Sequence, residues 1–242
     1  MEFYNSVLVY TFFINGVLGI GPLFDPCSKS DIKCLSKATE TFLEKTCKGL
    51  PQYDVLPLDP LIIPELEVVV DKGLGLVFKY KNLNITGLKN QQISDFRMDT
   101  DKRSVVLKTK ADINIVGDLT IGFTKKEKLF TGTYTASTTA LGSSQYGYSF
   151  VKKDGLDYFE VGPETNTCEI IGEPNVYIGG DLLNTLENDP DAKDMKPAYE
   201  TNKVTFRKKT LCKIVETAYI TVIHNIRAVA RIFPKSAFFI DI

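Results

Sequence analysis

The chain has 242 residues, 43% of them hydrophobic, and its 29 basic and 30 acidic residues leave a formal net charge of −1. This length and composition are typical of a globular protein with a substantial core, and the balanced charge excludes a strongly basic surface for nucleic acid. The chain has one histidine, His224, which excludes a histidine-rich metal cluster. We therefore expect no nucleic acid partner, no metal and no cofactor.

The first predicted element is an apolar run at the N-terminus. Residues 7–14 are apolar except for Thr11, and small or helix-breaking residues follow from Gly16 to Pro22. This pattern predicts a cleaved secretory signal peptide over residues 1–21, followed by a single domain over residues 22–242 of a secreted, extracellular protein. A short membrane anchor is the alternative, but the run is too short for it, so we expect no stable membrane insertion.

Secretion affects how the five cysteines are interpreted. No two of them are spaced as a C-x-x-C pair, and an oxidising compartment favours disulfides over a zinc site. The five are Cys27, Cys34, Cys47, Cys168 and Cys212. Proximity in sequence favours a bond between Cys27 and Cys34, which leaves either Cys47 or Cys168 to pair with Cys212. We interpret Cys47 as a buried, inert thiol.

A first helix is predicted from about Asp31 to Lys48, with Ser30 as its N-cap. Gly49 and Pro51 would end this helix. The proline-rich segment from Tyr53 to Pro64 then predicts an extended connector.

Alternating apolar residues predict antiparallel strands from about Leu66 to Ile178. The clearest run covers residues 107–123, and Gly117 within it predicts a bulge or bend that lets one long strand curve. Tyr146 and Tyr148 share one face of a later segment. Further strands are predicted over residues 129–141, 157–161, 167–171 and 175–178. The sequon that begins at Asn84 predicts a candidate glycosylation site in a secreted protein.

The last third predicts a polar loop over residues 179–199 and then one long helix. From Leu211 to Phe233 the apolar residues cover about half of the helical circumference, and Pro234 ends the pattern. Such a wide apolar face suits a helix that a sheet surrounds, so we predict an α+β fold with a long C-terminal helix wrapped by a highly curved antiparallel β-sheet. Asn225 is polar within the apolar arc, and His224 lies on the charged arc, where we expect it to face solvent.

No motif for catalysis occurs in the chain. It has no G-x-S-x-G nucleophile elbow, no phosphate-binding loop and no H-E-x-x-H pair, so we predict that it is not an enzyme. Inward-facing aromatic residues such as Tyr146 and Tyr148 are usually core. If the fold leaves a cavity, however, one of these phenols would be the polar anchor for an apolar ligand.

Several long segments resemble the juvenile hormone binding proteins of moth haemolymph, which belong with the takeout proteins. They are Phe42–Asp54, Leu58–Leu61, Lys81–Phe96, Ile171–Pro174 and His224–Ala228. The resemblance extends from about Phe24 to the C-terminus. It implies the tubular lipid-binding fold and a monomeric carrier that holds juvenile hormone, a sesquiterpenoid, in a closed apolar pocket and transports it in haemolymph.

The resemblance also implies roles for individual residues. Disulfides would join Cys27 to Cys34 and Cys168 to Cys212, with Cys47 outside the usual four. The first helix would act as a lid, and the Tyr146 hydroxyl would bind the hormone's epoxide. The complete set of implied ligand-binding residues is Tyr146, Tyr148, Phe42, Phe238 and Phe239.

Three alternatives to this carrier remain at this stage. One is a takeout-like carrier of another small lipid, and a less favoured one is an enzyme that metabolises the hormone. A third is a signalling partner that binds a receptor through the charged helix arc and residues 181–197.

Overall fold

A computed structural model of the protein describes residue 23 and residues 25–123, 126–193 and 196–242. The predicted signal peptide lies outside these ranges. In the described part, the helices are α1 (Ile32–Thr46), α2 (Gly180–Asn188), α3 (Pro190–Lys193) and α4 (Lys196–Ala230). The strands are β1 (Leu61–Asp71), β2 (Leu76–Thr86), β3 (Gln92–Asp99), β4 (Ser104–Phe123), β5 (Lys126–Lys153) and β6 (Leu156–Ile178).

The strands form one antiparallel sheet that curves around α4. Its order is β1-β2-β4-β5-β6, and β3 pairs with the first half of β4 beside β2. Both edge strands, β1 and β6, contact α4, which a flat sheet of this width could not achieve. The two edges do not pair with each other in the described part, so the sheet stays open. The predicted fold class, a long helix wrapped by a curved antiparallel sheet, is confirmed.

The predicted irregularity at Gly117 is present, with the extra residue on the neighbouring strand. Two β2 residues, Asn82 and Leu83, lie opposite Gly117. A Cβ atom at position 117 would lie 2.9 Å from the Lys81 carbonyl oxygen and 2.9 Å from the Leu83 side chain. Glycine is therefore needed here because the bulged strand approaches the β4 backbone closely.

The prediction of several short late strands is wrong. The predicted strands at 157–161, 167–171 and 175–178 are parts of one strand, β6, of 23 residues. Pro163 and Pro174 lie within β6, which tolerates them because it is an edge strand, where a missing backbone donor is allowed. The predicted strand at 129–141 is likewise part of the longer β5.

The prediction of a loop over residues 179–199 is also wrong. This segment forms α2, α3 and the first turn of α4. Leu182 of α2 is buried against Gly132 of β5, where an added Cβ would lie 2.6 Å from the Leu182 Cβ. A tertiary contact therefore stabilises a helix whose polar composition did not reveal it.

The helix α1 begins at a different cap from the predicted one. Asp31 is the N-cap, and its Oδ1 accepts a hydrogen bond of 3.0 Å from the Cys34 backbone N–H. The predicted cap, Ser30, instead places its Oγ 3.0 Å from the Ser28 Oγ. Asp31 is the residue whose side chain reaches the free N–H groups of the first turn.

The core is densely packed near the middle of α4. We call this region the packed middle, defined by five side chains that are 0% exposed: Leu83, Ile115, Leu119, Leu211 and Ile214. A disulfide between Cys168 of β6 and Cys212 of α4 joins the sheet to the helix beside it. No helix in the described part is both long and apolar enough to cross a bilayer.

Asn225 is the polar residue within the apolar arc of α4, and its side chain is bonded at both ends. Its Oδ1 accepts from the Leu56 N–H at 2.8 Å, and its Nδ2 donates to the Leu56 carbonyl at 2.9 Å. The buried amide therefore reproduces a strand-like pair with the connector that follows α1, which explains why a polar residue is tolerated there.

Candidate ligand cavity

A cavity of about 210 Å³ lies at the C-terminal end of α4. We call this region the hollow end. The cavity is lined by side chains from α1, β3, the first half of β4, β5, β6, α4 and the C-terminal segment. Most of these side chains are apolar, so the space favours an apolar guest over water.

The outer wall of the cavity consists of α1 and the C-terminal segment, which are bonded to each other. The Cys27 N–H donates to the Phe238 carbonyl at 3.0 Å, and the Ile240 N–H donates to the Cys27 carbonyl at 3.1 Å. The disulfide between Cys27 and Cys34 then joins this pairing to α1. The Ser28 hydroxyl also donates to the Asp241 carboxylate at 2.7 Å, which lowers the pKa of that carboxyl.

Aromatic rings close the end of the cavity around Phe159 of β6. The Phe159 ring centre lies 5.4 Å from that of Tyr148, 6.2 Å from Phe238 and 5.9 Å from Phe239. Phe96 of β3 stacks on the other side of Phe239 at 6.1 Å. Edge-to-face contacts of this kind fix ring positions, so they hold the C-terminal segment against the sheet.

Tyr146 is the polar residue that stands out among these apolar side chains. It lies on β5 opposite Val105, it is 8% exposed, and it lines the cavity. No described residue forms a hydrogen bond with its hydroxyl, and burial alone raises the pKa of that hydroxyl above its ordinary value. A buried phenol without a partner is costly, so its proton is available to an acceptor on a ligand.

The inner end of the cavity is formed by hydrogen-bonded side chains. Thr109 of β4 and Gln91, which precedes β3, both line the cavity and are buried. The Thr109 Oγ1 donates to the Gln91 Oε1 at 2.9 Å. On its other side Thr109 forms a short hydrogen bond with the Tyr219 hydroxyl of α4.

The structure brings together the residues that the resemblance implied. Tyr146, Tyr148, Phe42, Phe238 and Phe239 all line the same cavity. Phe42 belongs to α1, and the other four come from β5 and the C-terminal segment. Sequence reasoning did not identify Phe96, Phe159 and Val161 as lining residues. Alternation along β6 could have revealed the last two, because both point inward.

Other singled-out residues lie away from the cavity. Asn84 is exposed on the outer face of β2. Cys47 is half-buried and forms no disulfide in the described part of the chain. The His224 Nε2 lies 2.8 Å from the Asp54 carbonyl, so this residue is bonded to the connector rather than simply facing solvent.

Arg227 of α4 forms a half-buried ion pair. Its Nη2 lies 2.7 Å from the Glu164 Oε2 and donates to the Gly162 carbonyl at 2.8 Å. This contact ties α4 to β6 close to the cavity. Over residues 25–123, 126–193 and 196–242, no cluster of His, Cys, Asp or Glu side chains could hold a metal ion.

Comparisons with known proteins agree on one family. Residues 7–141 match the family described as haemolymph juvenile hormone binding protein. The chain is 51% identical over 223 residues to the juvenile hormone-binding protein of Manduca sexta, an alignment that covers 92% of this chain and 97% of that protein. The crystal structure of Takeout 1 from Epiphyas postvittana superposes with a TM-score of 0.70 at 19% identity, covering 89% of this chain and 99% of that one. This last likeness shows the fold.

Proposed function

The chain belongs to the haemolymph juvenile hormone binding protein family, and from this premise we propose that it is an extracellular carrier of juvenile hormone. The hormone would occupy the cavity at the hollow end, which would protect it during transport in haemolymph without any reaction. The observation that carries this proposal is an apolar cavity lined by a buried phenol, Tyr146, whose hydroxyl has no hydrogen-bond partner among the described residues.

Burial of apolar surface would supply most of the affinity. Removing roughly 400 Å² of sesquiterpenoid surface from water contributes about 10 kcal/mol before the entropic costs of association are subtracted. The side chains that would cover this surface are aromatic and aliphatic, among them Phe42, Phe159 and Ile226. Shape and apolarity would therefore decide whether a ligand binds.

The Tyr146 hydroxyl would decide which apolar ligand binds best. No residue in the described ranges accepts its proton, so it would donate to the epoxide oxygen of the hormone. A hydrogen bond of this kind contributes about 1 kcal/mol. This is small beside the apolar contribution, but it separates the hormone from a plain terpene of the same shape.

The size of the cavity requires a conformational change on binding. At about 210 Å³ it exceeds the roughly 150 Å³ apolar cavity that admits benzene, yet it lies below the ~300 Å³ at which pockets for larger ligands begin. We propose that α1 acts as a lid that swings about Gly49, whose φ of 84° places it in the left-handed region. Outward movement of α1 would admit the ligand and enlarge the cavity, and its return would enclose the bound hormone.

A hormone titration with matched variants tests this proposal. We expect Tyr146→Phe to weaken binding by about five- to tenfold with an unchanged thermal unfolding midpoint. Tyr177→Phe is the control, because Tyr177 is 60% exposed on β6, far from the cavity lining. An unchanged affinity in Tyr146→Phe would remove this hydroxyl from the site, and an absence of hormone binding by the wild type would refute the proposal.

Two measurements, recovery of radiolabelled hormone and native mass spectrometry, separate the carrier from the other functions considered. A carrier returns radiolabelled hormone unchanged, whereas an enzyme converts it. Native mass spectrometry of protein from its source would weigh the bound ligand, so the mass of another small lipid would favour a takeout-like carrier. The same spectrum would test cleavage near residue 21, a glycan at Asn84 and the expected monomer.

A further inference from the structure

The cavity stops at a boundary that crosses both the sheet and the helix. On β4 the inward residue Thr109 lines the cavity, whereas the next inward residue, Ala111, lines a separate space of about 10 Å³. On α4, Val222 lines the cavity and Tyr219 lines the small space. Tyr219 and Thr109 therefore lie between two voids.

The backbone of the sheet is shaped to accept the Tyr219 ring. Thr109 of β4 and Gly142 of β5 are partners in the sheet, and Tyr219 lies over this pair. A Cβ at position 142 would lie 2.1 Å from the Tyr219 Cζ and 2.5 Å from its hydroxyl. Only glycine leaves room for the ring to reach across β5 to Thr109.

Hydrogen bonds hold the ring across the core. The Thr109 hydroxyl donates to the Gln91 Oε1 and also forms a hydrogen bond with the Tyr219 hydroxyl, which in addition donates to the Thr109 backbone carbonyl at 3.5 Å. Tyr219 is 2% exposed and Thr109 is 1% exposed. A buried hydroxyl that loses such a partner remains desolvated without a compensating hydrogen bond, which costs free energy. Rotation of the Tyr219 ring away from Thr109 is therefore unfavourable.

The neighbouring disulfide fixes the helix at the same level of the sheet. Cys168 of β6 is the sheet partner of Gly142, and it is bonded to Cys212, which lies about two helical turns before Tyr219. The position of α4 along the sheet is therefore set close to the place where the ring crosses.

We propose that Tyr219 is a specificity-determining residue: its ring, bonded behind the cavity-lining Thr109, forms with it the inner wall that sets the greatest length of ligand that the cavity accepts. Beyond this wall lie the small side chains Ala111, Ala140 and Ala218, which leave room once the ring is removed. The inference rests on the proposed function in that it assumes an elongated apolar ligand in the cavity. Shortening residue 219 would join the two voids and admit longer chains.

Calorimetric titration with straight-chain alkanols of increasing length tests this wall without using the hormone. In the wild type we expect the affinity to rise by about fourfold per methylene and then to stop rising at one chain length. In Tyr219→Ala the fourfold increments should continue for about two further methylenes. Tyr219→Leu gives the same comparison if the alanine variant fails to fold.

Two control variants separate the wall from general loosening of the core. Tyr219→Phe keeps the ring and loses the hydroxyl, so its length limit should equal that of the wild type. Val215→Ala enlarges the small space behind the wall and should also leave the limit unchanged. Circular dichroism and thermal unfolding confirm that each variant is folded.

The outcomes distinguish this inference from the proposed function. A folded Tyr219→Ala or Tyr219→Leu variant with the wild-type limit would overturn the wall, and so would a shifted limit in Val215→Ala. A shifted limit in the residue 219 variants, with no hormone binding by the wild type, would support the wall and refute the hormone as ligand. Failure of the wild type to bind any alkanol would overturn the wall as a limit on ligand length, whereas the proposed function would still be decided by the hormone titration.

Discussion

The packed middle and the hollow end share strand β4 and helix α4. In the packed middle, Leu83 of β2 and Ile115 of β4 belong to the same fully buried cluster as Leu211 of α4. At the hollow end, the β4 side chains face α1 and the C-terminal segment across the cavity. The two regions therefore differ in what covers β4, and also in the strand that pairs with it, which is β2 at the packed middle and β3 at the hollow end.

The two regions are also cross-linked by disulfides that close loops of different length. The disulfide from Cys168 to Cys212 closes a loop of 44 residues beside the packed middle, and the disulfide from Cys27 to Cys34 closes one of 7 residues at the hollow end. Loop-closure entropy makes the longer bridge the stronger constraint on the unfolded chain.

The largest expected effect comes from removing the longer bridge. The variant with Cys168→Ala and Cys212→Ala should lose about 4 kcal/mol of unfolding free energy, against about 2.5 kcal/mol for Cys27→Ala with Cys34→Ala. Urea denaturation monitored by circular dichroism measures both. The shorter bridge should have the larger effect on hormone dissociation, because it holds α1 to the C-terminal segment. Equal losses in the two variants would contradict this ranking.

The next largest effect is the difference in stability cost when one buried side chain is truncated in each region. Leu211→Ala, at a fully buried position, should cost about 3 kcal/mol of unfolding free energy, because it leaves a void among close-packed atoms. Val222→Ala, at the cavity wall, should cost only about 1 kcal/mol, since fewer atoms contact that side chain. Hormone affinity should change in Val222→Ala and not in Leu211→Ala. The reverse pattern would show that the packed middle is part of the site.

The smallest effect concerns pH. Burial raises the pKa of the hydroxyls of Tyr80, in the core beside the packed middle, and of Tyr146, at the hollow end. In the unfolded chain a tyrosine ionises near pH 10, so the stability that each hydroxyl supports is constant below pH 10 and falls as the pH rises above it. At pH 11 each should account for about 1.4 kcal/mol of lost unfolding free energy.

Phenylalanine variants measure how much each of the two hydroxyls contributes to the loss of unfolding free energy at high pH. Urea denaturation at pH 9 and pH 11 should show a decrease in stability that is smaller by about 1.4 kcal/mol in Tyr80→Phe and in Tyr146→Phe than in the wild type. A smaller contribution from Tyr146 than from Tyr80 to this loss of stability would indicate that water reaches the hollow end. No difference between the variants and the wild type would contradict the burial of both hydroxyls.

The sequence revealed the parts of the fold that depend on periodic patterns. The wide apolar arc of α4 and the alternation in β4 predicted a sheet wrapped around a helix, which the structure confirms. The helix α2 was missed because its formation depends on Leu182 contacting Gly132, about 50 residues away in sequence. The continuity of β6 was missed because prolines look like breaks until the strand is known to lie at an edge.

The site was predictable to a similar extent. The resemblance identified Tyr146 and the C-terminal phenylalanines, all of which line the cavity. The inner wall was not predictable, because Thr109, Gly142 and Tyr219 acquire their relation only from the register of β4, β5 and α4. No local pattern in the sequence encodes that register.

The pairing of Cys27 with Phe239 brings the two termini of the folded domain to the mouth of the cavity. A ribosome releases the last residues of the chain only after the whole sheet has been made. The backbone pairing of Cys27 therefore forms only after the chain has been fully translated. The mouth of the cavity is the last part of the molecule to be assembled. An affinity tag fused after Ile242 would begin four residues beyond Phe239, next to the entrance, whereas a tag in the turn between β1 and β2, at the opposite end of the sheet, would leave it clear.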